Sequence, residues 1–141
     1  MKTIKNKKIL LNAIAILSFA AFLLPTTATA QKSEIKRTEL QHHDLSIPGK
    51  EMYQASIDFG AHTAFGKHYH HGEEIIYVLK GVLEYEVEGK GLVTLKAGEV
   101  LFIPAGTVHA AKNNTNENAV ELATYVVDKG KPVVTMTKEI N

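Results

Sequence analysis

The 141-residue sequence contains no cysteine. That absence excludes disulfides, thiolate metal sites, cysteine nucleophiles and lipid attachment through cysteine. Proline is scarce at four residues and glycine ordinary at ten, with 45% hydrophobic residues. This is globular composition, neither collagen-like nor disordered. A charge excess of either sign is also missing, with 16 basic against 15 acidic residues. Finally, no apolar stripe of 3.6-residue period is long enough for a core helix. A chain of this length makes one domain.

The longest apolar run is N-terminal. Lys2, Lys5, Lys7 and Lys8 precede an apolar segment from Ile9 to Leu24, broken only by Asn12 and Ser18. Pro25 and small residues follow, ending in Ala28-Thr29-Ala30. Positive start, apolar centre and small-x-small end are the parts of a secretory signal peptide, here residues 1–30 with the cut before Gln31. The run is short of the ~20 apolar residues that span a bilayer. The expectation is a periplasmic or secreted protein with no stable membrane span after cleavage. Removing the four lysines leaves twelve basic residues against fifteen acidic, a formal charge of −3. The mature chain then has no basic surface that calls for nucleic acid.

Residues 31–50 read as a polar lead-in ending in the Pro48-Gly49 turn, and residues 51–137 as the folded domain. Apolar, β-branched runs occur at Met52–Phe59, Ile75–Leu79, Val82–Val87, Leu92–Leu95, Val100–Ile103, Val120–Val127 and Val133–Met136. Glycine-bearing turns separate most of them, among them Lys80-Gly81, Gly89-Lys90-Gly91 and Pro104-Ala105-Gly106. Short strands at this spacing predict an all-β sandwich or barrel. Leu83, Tyr85 and Val87 alternate with Glu84, Glu86 and Glu88, which puts the glutamates in water. Tyr53, Phe59, Phe65, Tyr69, Tyr77, Tyr85 and Phe102 are assigned mostly to the core.

Histidine is concentrated. Four of the seven lie between His62 and His71. His68 and His70, two apart on a strand, share a face and offer two adjacent metal ligands. Gly72 permits a bend or bulge that lets Glu74 aim at the same point. His109, the only downstream histidine, completes the set from a neighbouring strand. Three imidazoles and a carboxylate suit one divalent transition ion: Fe, Mn, Ni, Cu, Co or Zn. Four ligands on an octahedral ion leave two positions for a small-molecule substrate or ligand. Glu74 doubles as the candidate catalytic base. His62 and His71 are read as loop or surface residues, and His42 and His43 as part of the lead-in.

The pattern resembles the cupin superfamily, in the form of a small single-domain, type-2 conserved barrel. His68, His70, Glu74 and Gly81 match its first signature, and Gly98, Pro104, Gly106, His109 and Asn113 its second. The glycine that usually opens the first signature is replaced by His62. The resemblance covers about Met52 to Val127. It implies an antiparallel double-stranded β-helix, or jelly-roll barrel, of six to ten strands with a metal at its inner mouth, and a homodimer. Because this fold hosts many reactions, the expected activity is a metal-dependent one of dioxygenase type on a small oxygen-bearing substrate. An isomerase or lyase, or a non-catalytic small-molecule or metal binder, is the alternative.

Overall fold

The computed structural model describes residues 34–138. The expected signal peptide and its cleavage site lie outside the described residues. The described chain forms ten strands: β1 Ile35–Asp44, β2 Lys50–Phe59, β3 Ala64–Tyr69, β4 Gly72–Lys80, β5 Val82–Val87, β6 Gly91–Lys96, β7 Val100–Ile103, β8 His109–Lys112, β9 Ala119–Asp128 and β10 Thr135–Met136. They make two five-stranded sheets, β1-β2-β9-β4-β7 and β10-β3-β8-β5-β6. Every pairing is antiparallel. This is the expected all-β, double-stranded β-helix. Among the described residues no helix is long and apolar enough to cross a membrane.

Alternation of apolar and polar residues decides which face of each strand is buried. Leu83, Tyr85 and Val87 of β5 are buried, and Glu84 and Glu86 point outward to pair with Lys112 and Lys67. On β9 the buried set is Ala119, Glu121, Ala123, Tyr125 and Val127. On β4 it is Gly72, Glu74, Ile76 and Val78. An aliphatic core of Ile76, Val78, Leu83, Leu95, Leu101 and Ile103 fills one part of the interior. Two aromatic assignments are corrected: Tyr77 and Phe102 are 41% and 56% exposed. Both lie on the outer face of the β4–β7 pair, out of phase with Ile76 and Ile103.

The lead-in contains a strand that its polar sequence hides. β1 is exposed along nearly its whole length and holds the sheet edge beside β2 through ladder bonds. His42 stacks on Tyr53 with ring centroids 3.8 Å apart, and its Nε2 lies 2.8 Å from Glu51. A charged, polar strand is a common way to finish a sheet edge without inviting aggregation.

Asn113, of the second signature, is fully buried. Its amide nitrogen donates to the carbonyls of Phe59, Gly60 and Glu117, and its Oδ1 accepts from the backbone and hydroxyl of Thr115. One side chain thus ties the end of β2 to the turn between β8 and β9. Its role is architectural.

Candidate metal centre

β3 and β8 run side by side with His68 directly opposite His109. Their ring centroids are 4.2 Å apart. His70 follows the end of β3, and its ring lies 5.1 Å from each of the other two. The expected two-residue periodicity holds, since His68 and His70 are buried and Tyr69 between them is only half-buried. One donor atom from each of His68, His70 and His109 lies within 4.8 Å of the others, a group able to hold a metal ion.

Glu74 approaches from the opposite sheet. Its Oε2 lies 3.0 Å from His109 Nε2 and 3.2 Å from His70 Nε2. The bend that brings it there falls at His70–His71, where the chain leaves one sheet for the other, and not at Gly72. Gly72 has a different job. A Cβ there would sit 2.0 Å from the carbonyl oxygen of Val126, so only glycine lets β4 approach β9 this closely.

The protonation pattern follows from the hydrogen bonds. His68 Nδ1 donates to the Gly66 carbonyl at 2.8 Å and His109 Nδ1 to the Thr107 carbonyl at 3.0 Å. His70 Nδ1 donates to the carbonyl of Val133. A carbonyl can only accept, so each Nδ1 carries a proton, which leaves Nε2 as the nitrogen whose lone pair a neutral ring can offer to an ion. This backbone clamp on the far nitrogen is the arrangement that orients metal-ligating histidines. The Nε2 atoms of His70 and His109 and the Oε2 of Glu74 are buried without any hydrogen-bond partner, despite their short separations. Lone pairs facing one another at 3 Å repel unless a cation sits among them. The donor set therefore fits a metal ion.

The charges respond accordingly. Burial lowers His68 to about 4. For Glu74, burial pushes upward, but His109 and His70 outweigh it and hold the carboxyl near 2. His109 is raised above its ordinary value because Glu74 outweighs the effect of burial. Glu74 thus stays anionic and seeks positive charge, which a proton on His109 or a metal ion can supply.

Three of the four residues border a cavity of about 70 Å³, room for on the order of five water-sized groups. His68, Glu74 and His109 line it, with Tyr85, Glu121, Tyr125 and Arg37. Glu121 is 3% exposed and accepts a hydrogen bond from the Tyr85 hydroxyl. Burial, and secondarily the charge of Glu74, push its carboxyl up to about 8. It is a carboxylic acid that keeps its proton near neutral pH. Sequence reasoning passed over Glu121 because it sits inside the apolar run Val120–Val127. The available signal was its phase: Glu121 falls in step with Ala119, Ala123 and Tyr125, all inward.

The remaining histidines lie apart from the cluster. His62 is exposed and hydrogen-bonds Asn116 at 2.8 Å. Its φ of 55° is the left-handed conformation that glycine adopts without cost, which explains how the loop keeps its course where the signature glycine is missing.

The family model for the cupin domain matches residues 56–128. The chain belongs to the cupins. Among solved structures, a cupin superfamily protein from Desulfitobacterium hafniense superposes with a TM-score of 0.59 at 16% identity, covering 70% of this chain and 83% of that one. DMSP lyase DddQ from Ruegeria pomeroyi gives 0.57 at 23% identity, covering 64% of this chain but only 45% of that one. KdgF from Halomonas sp. gives 0.53 at 24% identity, covering 64% and 77%. At these identities the likeness is one of fold. No curated protein matches the chain.

Proposed function

We propose that this cupin is an exported metal-dependent enzyme acting on a small oxygen-bearing molecule. His68, His70, His109 and Glu74 would hold one divalent transition ion, whose identity among Fe, Mn, Ni, Cu, Co and Zn their chemistry leaves open. The observation that carries the reading is the convergence of partnerless buried donor atoms from two sheets beside a cavity that also holds a buried acid. When bound, the ion supplies a Lewis acid that polarises a substrate oxygen. The backbone carbonyls of Gly66, Val133 and Thr107 keep the three imidazoles aimed, and the apolar walls exclude bulk water.

Two reactions are compatible with such an ion: the dioxygenase type expected from the sequence, and proton transfer of isomerase or lyase type. Glu121 favours the second. Its carboxyl is desolvated and raised into the range of a general acid working near neutral pH. The Tyr85 hydroxyl fixes its orientation. Glu74, held anionic, is the complementary base candidate. A lyase among the structural neighbours is in keeping with this reading.

The test is metal content beside turnover on small enols, phenols, keto acids and sugars, with and without oxygen, for wild type and Glu74→Gln. The expected outcome is turnover that survives removal of oxygen. The variant should retain some metal on three imidazoles and lose most activity. Strict oxygen dependence would restore the dioxygenase reading, and full metal with no turnover across the panel would favour a binding protein.

Export rests on the lysine-led apolar segment and Ala28-Thr29-Ala30. A homodimer is proposed through the outer face of β4 and β7, where Ile75, Tyr77, Leu79, Val100 and Phe102 are all more than 40% exposed on paired strands. Intact mass and sedimentation of the exported protein check both, with a mature chain beginning at Gln31 and a two-copy particle as the expected results.

A further inference from the structure

Arg37 is the only arginine in the sequence, and the proposed metal chemistry makes no use of it. It lies on the edge strand β1, whose sequence otherwise serves to finish a sheet. Yet it borders the same cavity as His68, His109 and Glu74. Its guanidinium carbon sits 5.8 Å from the ring centroid of Tyr125, a buried side chain of the cavity wall. Resting on an aromatic face restricts where an arginine can reach.

Exposure grades along the cavity. Arg37 is exposed, Ile57 and Phe65 are half-buried, and Tyr85, Glu74 and Glu121 are buried. Arg37 therefore stands at the mouth and the histidine cluster towards the inner end. Lys50, Lys67, Lys112 and Lys129 each pair with a carboxylate. Among the described residues, Arg37 forms no such ion pair. Its five N–H donors are thus available for a planar, two-oxygen anion.

The rest of the cavity narrows the choice. One cation with a forked donor set suits a carboxylate better than a phosphate, which carries more charge to neutralise. The walls beside Arg37 are apolar, with Ile35, Ile57 and Phe65. The volume of about 70 Å³ limits the occupant to a short chain. Glu121 does not oppose an anion when it is protonated. The charge of Glu74 would be answered by the ion.

We infer that the cavity takes a small monocarboxylate, its carboxylate held by Arg37 at the mouth and its carbon chain directed along the apolar wall towards the histidine cluster. This names the substrate class of the proposed site and rests on that reading only for the role of the cluster.

The experiment uses the mature chain, zinc-loaded and metal-free, with propionate, butyrate and valerate and their uncharged amides as probes. Binding is measured for wild type, Arg37→Gln and Arg37→Lys, with melting temperature and zinc content as controls for folding. In wild type each acid should bind more tightly than its amide. Arg37→Gln should weaken the acids about tenfold or more and leave the amides unchanged, and Arg37→Lys should recover part of the loss. The same ratio should persist in metal-free protein, where a carboxylate has no ion to bind. Acid affinity that is equal in wild type and Arg37→Gln would overturn the inference. So would equal losses for acids and amides, or no binding of any of the three acids to wild type. Failure of the metal reading would show separately, as protein that takes up no zinc yet still binds the acids through Arg37.

Discussion

On the inner face of β4, Glu74 is followed at alternate positions by Ile76 and Val78, and in that short distance the interior changes character. Glu74 stands in register with Tyr125 of β9 and touches two imidazoles. Val78 stands in register with a second buried carboxyl of the same sheet, Glu121, whose hydrogen-bond partner is a phenol. Both glutamates are almost wholly buried. One is held anionic by basic neighbours, and the other is pushed towards its neutral form by burial and by the charge of the first. Burial has the same sign for both, so the partners decide the outcome. A pair of carboxyls driven apart in this way provides an acid and a base at neutral pH from one residue type.

The first way to break this contrast is to remove a candidate ligand from the polar half and an aliphatic residue from the other. His109→Ala takes away the nitrogen opposite His68 and nearest Glu74. Zinc affinity, measured by chelator competition, should fall by about 100-fold or more. Leu83→Ala hollows the fully buried core instead and should cost about 3 kcal/mol in urea unfolding of metal-free protein. Its zinc affinity should stay within a few-fold of wild type. If both variants lost zinc equally, the two halves would not be separable.

A second comparison sets Glu121 against its own neutral analogue. Its folded-state pKa of about 8 lies above the ordinary 4.5, so between those values the folded protein holds a proton that the unfolded chain has released. The stability this contributes is fully present below about pH 4.5 and is lost as pH rises towards 8. Glu121→Gln cannot lose it. From pH 5 to pH 8, metal-free wild type should therefore lose on the order of 3 kcal/mol relative to the variant. His68 acts in the opposite sense. Lowered to about 4, it gives stability present above pH 6.5 and lost as pH falls towards 4, but it does so in both proteins and cancels in the difference. Parallel pH profiles for the two proteins would mean that Glu121 is ionised and that the acid assigned to the cavity does not exist.

How much of this could be read beforehand depended on the kind of signal. Val82–Val87 declared itself through alternation and Val100–Ile103 as a short apolar run between turn signals, and the bounds of both agree with the structure. β1 did not, because an edge strand exposed on both faces carries no such pattern. The convergence of the three histidines was legible from a two-residue spacing and a family signature. The position of Glu121 was legible only from phase within an apolar run. Arg37 had no local signal, because its place at the cavity mouth depends on β1 pairing with β2 and on β9 lying beyond it. Spacing reports neighbours along a strand, while a cavity is lined by residues whose proximity is created by the sheet order.

The smallest expected effect concerns the loop that departs from the family pattern. His62 adopts φ 55°, a conformation that costs a residue with a Cβ about 1 kcal/mol or more relative to glycine. Its hydrogen bond to Asn116 is exposed and offsets only part of that cost. Replacing His62 by glycine changes the strain and the hydrogen bond together, so a single variant would be ambiguous. The pair His62→Gly and His62→Ala separates them, because both lose the imidazole and only alanine keeps the strain. The glycine variant should be the more stable of the two by about 1 kcal/mol in urea unfolding. Zinc affinity should be unchanged in both, since His62 is not among the residues that line the cavity. Equal stabilities would mean that the loop moves to a relaxed conformation when the side chain is removed. In that case the Asn116 contact, and not the course of the chain, would be what holds His62 in its left-handed turn.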